Sequence, residues 1–111
     1  MTWTMFEAGR TLGEAGPQSG RVLRDEEDPR GARLTLEEGA SQGPYVITCR
    51  IAGDRLEHVF VTDASGTAAR VFNAMKSDLD SVLTLIATPT DDAAARDRSS
   101  ALLEEFVRTY R

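Results

Sequence analysis

The chain has 111 residues, 41% of them hydrophobic, which suits one globular domain over 1–111. Eighteen acidic against thirteen basic residues give a net charge of −5, which disfavours a track for nucleic-acid phosphates. One cysteine and one histidine exclude an intramolecular disulfide and the usual zinc ligand sets, and no stretch approaches the roughly 20 apolar residues that cross a bilayer.

The first residues lack the basic and apolar regions of a signal peptide, so a soluble, unprocessed, cytoplasmic protein is expected. Residues 2–8 predict a strand with Trp3 and Met5 on one side and Phe6 on the other. Glycines at 9, 13, 16 and 20 then predict a loop. Their spacing suggests an anion cradle, with Arg10 and Arg21 at hand. It lacks the Lys-Ser/Thr ending of a P-loop and opens no clear helix, so a surface connection is the plainer reading.

Residues 21–27 and 32–38 predict a hairpin around Asp28-Pro29-Arg30-Gly31, which places Asp, Pro and Gly where a type I turn wants them. A plain two-residue loop pairs Leu23 with Leu36, whereas a bulge at Gly31 sets Leu23 opposite Glu37. Hydrophobic matching favours the first. The run Asp25, Glu26, Glu27, Asp28 has the oxygen ligands for a hard cation. Strand alternation splits it between two faces, however, and Arg24, Arg30 and Arg33 can neutralise it. A solvated, salt-bridged hairpin end is therefore expected.

The clearest hairpin joins 45–52 to 55–62 through a Gly53-Asp54 turn. Counting outward pairs Ile51 with Leu56, Cys49 with His58 and Ile47 with Phe60 on the core face, and Arg50 with Glu57 on the other. Cys49 beside His58 is the one pair whose chemistry allows a thiolate nucleophile. Both fall on the core face, where a buried thiol and a satisfied histidine are the plainer account. The second face is half apolar, which makes Val46, Thr48, Val59 and Val61 interface candidates.

From 65 to 88 the period becomes helical, with Ala68, Val71, Phe72, Met75, Leu79, Val82, Leu83 and Ile86 in one stripe. Thr62 and Asp63 can cap its start, and Thr88-Pro89 supplies a stop. Thr90 then caps a second helix, with Asp91 and Asp92 in its first turn. Leu102, Leu103, Phe106, Val107 and Tyr110 form its stripe, whereas 93–100 has no large apolar residue and should project into solvent.

Strands followed by helices predict an α+β fold: an antiparallel meander of four to five strands with two C-terminal helices packed on one face. The other face predicts a homodimer, unless the N-terminal strand or the glycine loop covers it. No catalytic, cofactor or metal set stands out, and no residue set carries a diagnostic family motif. The reading is a non-enzymatic protein-binding or interaction module acting as a homodimer, with neither nucleic acid nor membrane as partner. An acidic inhibitor of a basic enzyme is one specific form of it. The alternative is a small-molecule-binding enzyme whose pocket, between sheet and helices, gathers His58 with Glu26 or Glu57. A purely structural dimer stands third.

Overall fold

The computed structural model describes residues 3–53, 55–87 and 93–111. Five antiparallel strands, β1 (Thr4–Met5), β2 (Arg21–Asp28), β3 (Ala32–Ala40), β4 (Gly43–Ile51) and β5 (Leu56–Thr62), form one meander sheet in the order β1-β2-β3-β4-β5. Two helices follow, α1 (Ser65–Ala87) and α2 (Ala93–Thr109), and pack on one side of the sheet. The fold is the expected α+β arrangement. Among the described residues, no helix is long and apolar enough to cross a membrane.

The β4–β5 register agrees with the count outward from the turn, pairing Ile51 with Leu56, Arg50 with Glu57, Cys49 with His58 and Ile47 with Phe60. Gly53, at φ 76°, takes the left-handed conformation a tight hairpin needs; Asp54 lies outside the described residues.

The β2–β3 hairpin corrects the favoured register. Asp28 pairs with Ala32 and Arg24 with Leu36, so Leu23 does not face Leu36. Near the turn this is the register of the Gly31 alternative. Pro29, Arg30 and Gly31 form a three-residue loop, with Gly31 at φ 113° and its amide bonded to the Asp28 carbonyl at 2.9 Å. The Asp28 carboxylate also accepts from the Arg30 amide at 2.9 Å. A second irregularity between Val22 and Arg24 then shifts the register back, so that Val22 faces Glu37 and Arg21 faces Glu38.

The N-terminal strand is also corrected. It holds two residues rather than the predicted seven, and Thr2 lies outside the described residues. Glu7 (φ 48°), Ala8 (φ 57°) and Gly9 (φ 86°) turn left-handed and end the pairing with β2.

α1 has the expected amphipathic spacing, and Phe72, Met75, Leu79, Val82 and Leu83 are buried with Leu34, Leu36, Ile47, Cys49 and Ile51 of the sheet. Thr62 accepts from the Ala64 amide at the entry to this helix. The expected stop at Thr88-Pro89 and the cap at Thr90, Asp91 and Asp92 lie outside the described residues. In α2, Phe106 is buried, as is Tyr110 just past its end, and Leu102, Leu103 and Val107 are half-buried, while the described side chains of 93–98 are exposed.

β2 faces α1 through charged side chains. Arg24 lies 4.0 Å from the centroid of the Phe72 ring and donates to Asn73 at 3.1 Å. Glu26 accepts from Lys76 at 2.5 Å and from Arg24 at 2.8 Å. Burial opposes the charge on Glu26, but hydrogen bonds from Lys76 and Arg24 outweigh it and hold the carboxyl below its ordinary value. Arg30 forks between Asp28 and Asp80, each at 2.8 Å. Asn73, Lys76 and Asp80 recur every three or four residues, so one polar stripe of α1 is zipped to the β2 hairpin beside the apolar one.

Phe72 is fully buried at the centre of this layer. Phe72→Ala is expected to cost about 3–5 kcal/mol in urea unfolding monitored by circular dichroism. A loss below about 1 kcal/mol would mean that the layer collapses around the missing ring or that the stripe packs elsewhere.

Candidate functional site

The sheet face away from the helices carries Asp25 of β2, Thr35 and Glu37 of β3, and Val46 and Thr48 of β4, all buried. Residues 10–20 cover it as a strap. The Gly13 amide donates to the Val22 carbonyl at 2.8 Å and the Val22 amide returns a bond to Glu14 at 2.9 Å, holding the strap to β2. Thr11 donates to Asp25 at 2.8 Å.

Glu37 has 0% exposure, and its carboxylate accepts from the Gln18 amide at 3.1 Å and the Gly20 amide at 3.0 Å. Ser19, at φ 66°, turns the backbone so that both amides converge. A Cβ at Gly16 would stand 2.4 Å from the Glu37 carboxyl carbon, and one at Gly20 would stand 2.6 Å from the Glu38 carbonyl oxygen. The two glycines are the spaces through which the strap descends onto the sheet. The loop is thus an anion cradle whose anion is the chain's own glutamate. Arg10 and Arg21, the cations expected to assist an outside anion, pair with Glu7 and Glu38 instead.

Glu37 was not among the sequence candidates. Alternation along β3 sets it on the face of Thr35, a detectable signal, but Glu37-Glu38 beside Gly39 reads as an exposed strand end.

The acidic run is divided as expected but is not solvated. Asp25 is buried and takes two bonds from Arg33, at 2.9 and 2.7 Å, and one from Thr35 at 3.2 Å. Arg33 in turn lies 3.6 Å from the centroid of Phe6, and its hydrogen bonds to Asp25 raise its pKa against the opposing cost of burial. Glu26 and Asp28 are paired on the helix side and at the turn. Among the described residues, no group of three His, Cys, Asp or Glu side chains could hold a metal ion.

Cys49 and His58 stand opposite each other but work apart. Cys49 is fully buried, and that burial pushes its thiol up to about 12. His58 donates from Nε2 to the Tyr110 carbonyl at 2.5 Å and meets Phe106 edge-on, with ring centroids 6.5 Å apart. Tyr110 itself donates to Asp78 of α1. His58 and Tyr110 therefore latch the end of α2 to β5 and α1, and the thiol carries no appreciable thiolate at neutral pH.

The four interface candidates separate. Val46 and Thr48 lie beneath the strap, Thr48 accepting from the Gln18 side chain at 3.4 Å. Val59 is half-buried and Val61 is 42% exposed, both on β5, the last strand of the sheet. On the helix side of the same strand, Leu56 joins Leu103, Glu104, Val107, Arg108 and Arg111 in an open groove of about 490 Å³. Two half-buried apolar patches thus flank β5, one on each side of the sheet.

No protein-family model matches this chain, and neither the curated proteins nor the solved structures provide a match.

Glu37→Ala leaves the Gln18 and Gly20 amides without their acceptor and is expected to cost on the order of 3 kcal/mol. Limited proteolysis should then cut within 10–20 before it cuts the sheet, and an unchanged pattern would mean that the strap is held by its other bonds alone. For Cys49, labelling of the folded protein by a thiol reagent should stay slow from pH 7 to 9. In denaturant the rate should climb steeply from pH 7 and level off near pH 9, as for a free thiol with a pKa of about 8.5. Rapid native labelling would mean that Cys49 is accessible and reactive after all.

Proposed function

We propose that this chain is a non-enzymatic protein-binding module that acts as a homodimer. The observation that carries the reading is the disposition of its reactive groups. Asp25, Asp28 and Glu37 are buried and engaged by Arg33, Arg30 and backbone amides, while the Cys49 thiol is pushed up by burial. A general acid or base must reach a substrate proton, and a nucleophile must reach an electrophile. These groups are turned inward. The space an enzyme's pocket would need between sheet and helices is filled by Phe72, Met75, Leu79 and Ile47, each at 0% exposure.

Of the apolar side chains that remain accessible, Met5 and Leu12 lie at β1 and the strap, whereas a group borders β5, where Val61 is exposed and Val59 and Leu56 are half-buried. Patches of this kind on a small acidic domain suit contact with another protein. A lone buried cysteine also goes with a reducing, cytoplasmic setting.

Static light scattering at tens of micromolar is expected to give twice the 12.1 kDa chain mass, with or without EDTA. Val59→Asp should weaken association at least about tenfold, because it brings a charge to an interface that has no partner for it. A monomeric mass at those concentrations would sink the homodimer reading.

A further inference from the structure

We propose that the homodimer is built by β5 pairing antiparallel with β5 of a second copy, about a two-fold axis at Val59, to give one continuous ten-stranded sheet. This rests on the homodimer reading above and names its seam.

The two edges of the sheet differ. β1 is two residues long and ends in the left-handed turn at Glu7, Ala8 and Gly9, so it offers almost no template for a further strand. β5 runs for seven residues, Leu56–Thr62, in unbroken register with β4. It contains no proline, no lysine and no bulge, the devices that keep an edge strand from pairing. Glu57 is its one acidic residue.

The axis follows from the strand itself. A two-fold axis normal to the sheet keeps each face on its own side only if directly opposed positions share parity, which places a residue on the axis. Centring on Val59 pairs all seven residues: Val59 meets Val59, His58 meets Phe60, Glu57 meets Val61 and Leu56 meets Thr62. Centring on Glu57 opposes two carboxylates, centring on His58 opposes two imidazoles, and centring on Phe60 or Val61 leaves the start of the strand unpaired.

A seven-residue seam alone is small beside the ~800 Å² per partner of a stable interface. The groove along α2 extends it. Leu56, Leu103 and Val107 provide apolar surface, and Glu104 with Arg108 and Arg111 provides both signs of charge on one patch. An isologous interface needs that mixture, since the same patch must complement itself.

Val59→Cys places two thiols across the axis, within the 4.4–6.8 Å Cα separation of a disulfide for either kind of antiparallel pair. Mild oxidation should yield covalent dimer, with buried Cys49 silent in the parent chain. A mixture of Glu57→Cys and Val61→Cys chains should cross-link to each other in preference to themselves. In light scattering, Val61→Glu, brought opposite Glu57, should raise the dissociation constant at least about tenfold, whereas Val61→Lys should leave it within about threefold. A dimeric mass without these cross-links, or with Val61→Lys as damaging as Val61→Glu, would overturn the seam and leave the dimer standing. A monomer would overturn both.

Discussion

The buried carboxylate of Glu37 is the constraint around which the second face of the sheet is organised. A two-layer domain covers one sheet face with helices and must find something for the other, and here α1 and α2 both go to the same side. Eleven residues of irregular chain do the remaining work. Irregular backbone leaves amides unpaired unless something accepts from them. Glu37 supplies that acceptor from within the sheet, and the two amides it receives in turn compensate a charge that would otherwise be costly to bury. Strap and carboxylate each make the other tolerable. Gly16 and Gly20 follow from that contact, because side chains there would occupy the space of the carboxyl group and of the Glu38 carbonyl.

That arrangement also decides which surface stays open. Val46 and Thr48 lie in the middle of the sheet and are sealed by the strap, while Val59 and Val61 are one strand further out. The half-apolar character of the second face therefore has two causes. Val46 at its centre is covered within the chain among the buried polar groups Thr35, Glu37 and Thr48, and Val59 and Val61 stand at its border, where β5 ends the sheet.

Much of the fold is legible in the sequence because its strongest signals are local. Gly53 sets the β4–β5 register, and the three- and four-residue spacing from Ala68 to Ile86 marks α1 without ambiguity. The β2–β3 register is misjudged for a specific reason: hydrophobic matching assumes that the buried side of a strand is apolar, but β2 meets α1 through Arg24 and Glu26. Those side chains belong there because Phe72, Asn73 and Lys76 receive them, and those partners lie about 50 residues along the chain. The strap is opaque for the same reason. A glycine loop suggests an anion, but nothing local says that the anion is Glu37, 17 residues beyond Gly20. Nonlocal polar contacts of this kind have no periodicity to read.

The abundance of arginine, twelve residues against the single lysine Lys76, reads in sequence as a composition bias. At three positions the structure gives it a physical basis. Arg33 makes two bonds to the Asp25 carboxylate while its plane lies over Phe6, Arg30 spans Asp28 and Asp80, and Arg24 covers Phe72 while reaching Glu26 and Asn73. Each uses the planar fork, a stacked face, or both, and an ammonium group offers neither. Lys76, by contrast, meets one carboxylate oxygen as a point charge at 2.5 Å. The inner arginines are thus committed to carboxylates and rings that tie β2, the N-terminal turn and α1 together. Arg108 and Arg111 stand instead at the outer groove beside Leu103 and Val107, where their charge faces whatever adjoins β5.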